Sequence, residues 1–258
     1  MSRALLAAWH ATLHRRSGDR AVIQAGDDCA ATFRELDERA AAWQARHAAD
    51  PRAFAGRIVV FAAPNGLGWF ELALGLWRAG AVIAPLDAAE PPAAQRRTAE
   101  ALRAAFWWDG ARLVALPAPR RFRDPAICLI KLTSGTTGQP RPLVFTAGEM
   151  LADARQVTST MGITPRDLNF ALIPLGHSYG LGNLALPLLA QGVPLVCGSA
   201  PLPHAIAADF AHWRPTVFPG VPAMWRALAA SGVALPGLRL GISAGAPLPP
   251  EVAREFAS

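Results

Sequence analysis

Ile130-Lys131-Leu132-Thr133-Ser134-Gly135-Thr136-Thr137-Gly138-Gln139-Pro140-Arg141-Pro142-Leu143-Val144-Phe145-Thr146 is the stretch on which the reading of this chain turns. The apolar run ending at Leu132 reads as a buried strand, and Leu143-Val144-Phe145 reads as another. Between them the hydroxyl side chains of Thr133, Ser134, Thr136 and Thr137 surround Gly135 and Gly138. Glycine lets the backbone turn with positive φ and come close to a ligand. Successive amide N–H groups in such a turn form an anion-binding concavity, and the hydroxyls add donors. Arg141 contributes a permanent charge on a planar fork suited to phosphate. Together these features describe a loop that holds polyphosphate.

The loop is not the P-loop of the Walker type, which needs Gly-Lys-Ser/Thr leading into a helix; here Gln139-Pro140-Arg141-Pro142 follows the last glycine. It resembles the signature of the AMP-forming adenylating enzymes, a family that includes acyl- and aryl-CoA synthetases, luciferases and peptide-synthetase adenylation domains. In that family a Thr-Ser-Gly-Thr-Thr-Gly-x-Pro-Lys-Gly loop embraces the β- and γ-phosphates of ATP. The resemblance assigns this contact to Thr133, Ser134, Gly135, Thr136, Thr137, Gly138 and Arg141.

Outward from the loop, strand-like and helix-like segments alternate, a pattern that gives mostly parallel sheets flanked by helices. Strands are expected at 21–25, 57–62, 81–84, 168–173, 193–197, 216–218 and 238–243. Thr32-Phe33-Arg34-Glu35 and Thr146-Ala147-Gly148-Glu149 are capping boxes that open helices to about residues 47 and 161. Further helices are expected at 67–79, from Pro91-Pro92 to about 105, and at 181–189, 203–213 and 222–230. The segment 116–125, rich in proline and arginine, is the expected seam between a first α/β lobe (1–116) and a second (126–258).

This order also resembles the adenylating family. Thr32-Phe33-Arg34-Glu35-Leu36, Pro64-Asn65, Ala79-Gly80-Ala81-Val82 and Pro85-Leu86-Asp87 resemble its early landmarks. The implied fold is the N-terminal domain of an adenylating enzyme. Pro174-Leu175-Gly176-His177-Ser178-Tyr179-Gly180 resembles the family's Pro-Leu-x-His-x-x-Gly landmark, beside the acid substrate. Its position, after a strand and before a helix, is also where open α/β sheets bind ligands. His177 is thereby a candidate catalytic and substrate-orienting residue, with Tyr179 and Gly180 as pocket residues. Read alone, a histidine at a helix start is a cap. Gly245, Ala246 and Pro247 lie in a segment that resembles the one packing on adenine, where small residues let a flat base approach the backbone. Pro219-Gly220-Val221-Pro222 with Met224 and Trp225 resembles a segment near the acyl pocket, and reads equally as core packing.

Composition limits the alternatives. With 52% apolar and 17% charged residues over 258 positions, the chain has ample material for a core. No apolar run reaches about 18 residues, so no membrane span is expected, and the helix-like start with His10, His14, Arg15 and Arg16 fits a cytoplasmic protein better than a secretory leader. The net charge of +6 is carried by arginines spread along the chain, apart from Arg120, Arg121 and Arg123, which argues against a nucleic-acid partner. Cys29, Cys128 and Cys197 give neither a disulfide framework nor zinc spacing, and no metal site is expected from these residues.

The resemblance implies ATP and Mg2+, a carboxylic acid substrate, and coenzyme A or a carrier thiol as acceptor. Arg141 and Pro142 replace the family's lysine and glycine, which is expected to alter loop motion. Family members run well beyond the span that ends here at Ser258. Two expectations follow: an AMP-forming acid–thiol ligase, which takes an acyl carrier protein if its acceptor is a carrier thiol, or a catalytically incompetent remnant or half of a split enzyme, completed by a C-terminal fragment.

Overall fold

A computed structural model describes residues 3–133 and 141–256. Its strands, in chain order, are β1 (Arg20–Gln24), β2 (Cys29–Thr32), β3 (Ile58–Ala62), β4 (Val82–Leu86), β5 (Phe106–Trp108), β6 (Leu113–Ala115), β7 (Ile127–Thr133), β8 (Arg141–Thr146), β9 (Asn169–Ala171), β10 (Leu195–Cys197), β11 (Val217–Gly220) and β12 (Leu240–Ser243). They form two sheets, ordered β6-β5-β3-β4-β7-β8 and β12-β11-β9-β10-β1-β2. Within each sheet the inner strands are parallel; antiparallel pairing is confined to β5/β6, β7/β8 and β1/β2. The fold is therefore α/β with two mostly parallel sheets flanked by helices.

The sheets are not divided at residues 116–125. Strand β1 lies beside β10 and carries β2 at the edge of that sheet, while β7 and β8 complete the sheet of β3 and β4. The seam expected from composition is instead a surface connection. In it, Arg121 Nε donates to Ala55 O (3.0 Å), and the Arg120 guanidinium sits 4.5 Å from the Phe122 ring centre.

One large core fills the space between the sheets. It joins Val59, Phe61, Ile83 and Leu129 of one sheet to Val22, Leu195 and Ala171 of the other through a layer of helices. The helix Leu67–Arg78 buries most of its circumference there, including Trp69, Phe70, Leu74 and Trp77, as a predominantly apolar helix must. Its Gly75 is a packing necessity, since an added Cβ would lie 2.5 Å from Trp43 Cε3. Smaller cores flank it, around Ile58, Val82 and Leu116 on one sheet and around Phe170, Phe210 and Phe218 on the other, with a third small cluster of Ile163, Val193 and Val217.

Local signals translate directly. Both capping boxes form, Thr32 with Glu35 and Thr146 with Glu149, opening the helices Phe33–His47 and Ala147–Thr160. The expected helix to residue 105 stops at Ala101, where Arg103 takes positive φ (53°) and turns the chain into β5. The helix expected at 181–189 is a π turn, Leu181–Ala185, running into Leu186–Gln191. Pro187 cannot donate to the carbonyl of Asn183, and Asn169 Nδ2 donates to that carbonyl instead (3.3 Å). The strand expected to be buried at Leu143–Phe145 is an edge strand, with Leu143 46% and Val144 40% exposed. Three apolar residues in a row specify a strand but not its place in the sheet.

Candidate functional site

An open cleft of about 920 Å³ lies where the carboxyl ends of both sheets face each other. Each segment lining it belongs to, or follows, the end of a parallel strand. Leu86 and Asp87 come from β4, Leu132 from β7, Ile173 to Tyr179 from β9, Val221 and Met224 from β11, and Ala244 and Gly245 from β12. Ligand positions outside strand carboxyl ends follow from this topology.

Two devices hold the sheets in this relation. Asn65, just after β3, donates through Nδ2 to Ala171 O (3.3 Å) and Ile173 O (2.9 Å), and its Oδ1 accepts from Leu175 N–H (2.8 Å). One amide side chain from the first sheet thus braces the chain leaving β9 of the second. Gly176 then crosses the end of β4 so closely that a Cβ would lie 2.1 Å from Leu86 O. The close approach at 176 brings the next residue, His177, over Asp87.

His177 Nε2–H donates to Asp87 Oδ2 (2.9 Å). The ring stands at the N-terminus of the helical turn Ser178–Gly180 yet makes no capping hydrogen bond, so it is not a simple cap. The pairing places an N–H at Nε2, so Nδ1 accepts in the neutral ring and donates in the protonated one. Asp87 Oδ1 also accepts from Ala89 N–H (2.9 Å), which orients the carboxylate. Glu90 lines the same wall. Burial, and then the negative charge of Asp87, raise its pKa above the usual carboxylate range, while His177 acts in the opposite direction.

Tyr179 forms part of the floor. Its hydroxyl donates toward Gly220 O (3.1 Å) and Ile242 O (3.4 Å), tying the ends of β11 and β12 together. Burial pushes its pKa up to about 12, so it remains a neutral donor over the working range. Gly180 is a steric requirement of the turn, because a Cβ there would sit 2.2 Å from Pro174 O. Gly245 takes positive φ (94°), and nothing lies within 4 Å of where its Cβ would be, so backbone here opens on free space. Ala246 and Pro247 are exposed beside it.

Ser134, Gly135, Thr136, Thr137 and Gly138, expected from the sequence to hold polyphosphate, lie outside the described residues. Their two flanks are described. Thr133 and Arg141 pair across β7 and β8 at the base of the loop, and Leu132, one residue earlier, shares the cleft with His177. The strand that leads into the loop belongs to the first sheet, and His177 follows a strand of the second. Among the described residues no group of three His, Cys, Asp or Glu side chains converges to hold a metal ion.

Sequence reading missed Asp87 and Glu90 as site residues. Asp87 stands in a quoted landmark, directly after a strand; Glu90 carries no signal beyond its place before Pro91-Pro92.

Fold and cleft together define a two-sheet α/β protein whose site is assembled from strand carboxyl ends. The family described as AMP-binding enzyme matches residues 103–258, and the chain belongs to that family. Similar proteins include a feruloyl-CoA synthase from Amycolatopsis sp (27% identical, covering 97% of this chain and 56% of the relative) and a sulfoacetate–CoA ligase from Cupriavidus necator (29% identical, 78% and 47%). This chain thus spans about half the length of the curated relatives it matches. The crystal structure of the anthranilate CoA ligase AuaEII with anthranoyl-AMP superposes with a TM-score of 0.82 at 18% identity, covering 98% of this chain and 56% of that one. ATP-bound MatB from Rhodopseudomonas palustris gives 0.79 at 20% identity, covering 100% and 57%. These two likenesses establish the fold. Among the described residues no helix is long and apolar enough to cross a membrane.

Proposed function

We propose that this chain carries the acid-activating site of an AMP-forming acid–thiol ligase. A carboxylate attacks the α-phosphorus of ATP, pyrophosphate leaves, and the acyl-adenylate passes its acyl group to coenzyme A or to a carrier thiol. The observation that carries this reading is the convergence at one cleft of His177, the 244–245 backbone and the end of β7, from which the hydroxyl-rich loop departs.

In this reading the 133–138 loop and Arg141 hold the phosphates, and Gly245, Ala246 and Pro247 lie along adenine. His177, steadied by Asp87, orients the reacting carboxylate through Nδ1–H of the protonated ring. Tyr179 and Gly180 shape the wall on which the acid rests. Phosphoryl and adenylyl transfer require mainly positioning and charge neutralisation, which suits a site made of backbone amides, hydroxyls and one guanidinium. CoA ligases among the relatives support the thiol acceptor.

The test is calorimetric titration of the chain with ATP and with a benzoyl sulfamoyl-adenosine, a stable mimic of an acyl-adenylate. Saturable binding of both, each competing with AMP, is the expected result. Absence of any nucleotide-competitive binding would refute the proposal.

A further inference from the structure

We propose that the acid-binding part of the cleft selects acids whose only negative charge is the reacting carboxylate, and that Glu90 with Asp87 imposes this choice. The inference deepens the adenylation reading and rests on it.

The wall beyond His177 is mostly apolar, formed by Leu86, Leu132, Ile173, Tyr179, Val221 and Met224. Its charged members are both acidic, Asp87 and Glu90, and among the described residues no lysine or arginine lines it. The stretch outside the described residues, Ser-Gly-Thr-Thr-Gly-Gln-Pro at 134–140, carries no charged side chain by sequence. A body that fills this space is stabilised by apolar burial. A second carboxylate or a sulfonate on that body would have to leave water without a cationic partner, which costs heavily.

The acidic pair is built into the backbone. Glu90 N–H donates to Asp87 O (3.1 Å), and Gln95 Nε2 donates to Glu90 O (2.7 Å), so the turn 87–90 is held from both sides. Asp87 is already matched by His177 Nε2–H and Ala89 N–H. Glu90 already sits in surroundings that resist its ionisation, through burial and through the charge of Asp87. Any further anion brought against it meets the same field. The imidazole of His177, the cationic candidate in the lining, is committed to Asp87 and to the reacting carboxylate.

The experiment is titration calorimetry of the chain with three sulfamoyl-adenosine conjugates that share one scaffold: benzoyl, para-nitrobenzoyl and para-carboxybenzoyl. The nitro group matches the carboxylate in size and shape without its charge. Benzoyl and nitrobenzoyl conjugates are expected to bind at least about tenfold more tightly than the carboxybenzoyl conjugate, a difference of about 1.4 kcal/mol. In Glu90→Gln the ratio is expected to shrink several-fold, with the melting curve showing that the variant is folded. Asp87→Asn, should Glu90→Gln fail to fold, is expected to shrink the ratio likewise. Equal binding of nitro and carboxy conjugates, or a ratio unmoved in a folded variant, would overturn this inference while leaving the adenylation reading in place. Failure of every conjugate and of ATP to bind would overturn both.

Discussion

His177 Nε2 stands 2.9 Å from Asp87 Oδ2, so a side chain that follows β9 of one sheet is held by the residue that follows β4 of the other. The pair is partly solvated, with His177 57% and Asp87 24% exposed. Exposed ion pairs contribute about 0–1 kcal/mol, so its value lies in placement of the ring rather than in stability.

Asp87→Ala is accordingly expected to shift the melting temperature little and to release the ring. Nitrogen-detected NMR of the neutral imidazole should show the Nε2–H tautomer in the parent chain and a mixture in the variant. An unchanged tautomer would mean that Asp87 does not position His177. Binding of an acyl-adenylate mimic is expected to weaken in parallel, while ATP affinity stays closer to that of the parent.

Replacing Thr136 and Thr137 together by alanine is expected to weaken ATP binding by about tenfold or more, since a hydrogen bond to a charged group contributes about 1.5–3 kcal/mol. Calorimetry reads this directly. Unaltered affinity would remove the loop from the phosphate site.

Tyr179 offers a pH readout, being the one tyrosine of the chain. Its phenol is raised from an ordinary value of 10.0 to about 12 by burial. A raised folded-state pKa gives stability that is complete below pH 10 and is lost as pH climbs from about 10 to about 12. Tyrosinate absorbance should therefore appear near pH 12 in the folded chain and near 10 in denaturant. Tyr179→Phe, which removes the donor to Gly220 O and Ile242 O, should cost about 1 kcal/mol in a denaturant titration.

Gly75→Ala tests the packing between the sheets. Helix propensity alone favours alanine by about 1 kcal/mol. However, the new methyl group meets Trp43 at 2.5 Å and the backbone oxygen of Ala40 at 3.2 Å. Net destabilisation of about 1–3 kcal/mol is expected from overpacking, read from thermal unfolding. A gain in stability would show that Trp43 moves aside freely.

The parts of this fold that are legible in the sequence are those encoded locally. Thr32 with Glu35 and Thr146 with Glu149 announce helices because cap and partner lie three residues apart. His177 stands out because its flanking Pro-Leu-Gly and Gly are close by in the chain. What escaped reading depends on distant partners. Nothing in Ala21-Val22-Ile23 says that it joins β10 rather than β3, and nothing in Leu143-Val144-Phe145 says that its strand lies at an edge. Strand β2, Cys-Ala-Ala-Thr, has almost no strand-forming residues of its own and exists by pairing with β1. Asp87 became a site residue only when the two sheets were set facing each other.

The interleaving of strands also dictates an order of assembly. Strand β1 pairs in parallel with β10, Val22 beside Leu195. At about 5–20 residues per second of synthesis, the early hairpin of β1 and β2 waits on the order of ten seconds or longer before its neighbour leaves the ribosome. The sheet of β3, β4, β5 and β7, by contrast, is encoded between residues 58 and 133 and can close first. Contacts of such long sequence separation slow folding, because the entropy of closing the intervening chain is spent before the pairing forms. During that interval both faces of β1, Val22 on the side of the inter-sheet core and Ile23 on the outer side, lack their covering residues. The nascent N-terminal hairpin therefore presents apolar surface until β10 arrives to pair with it.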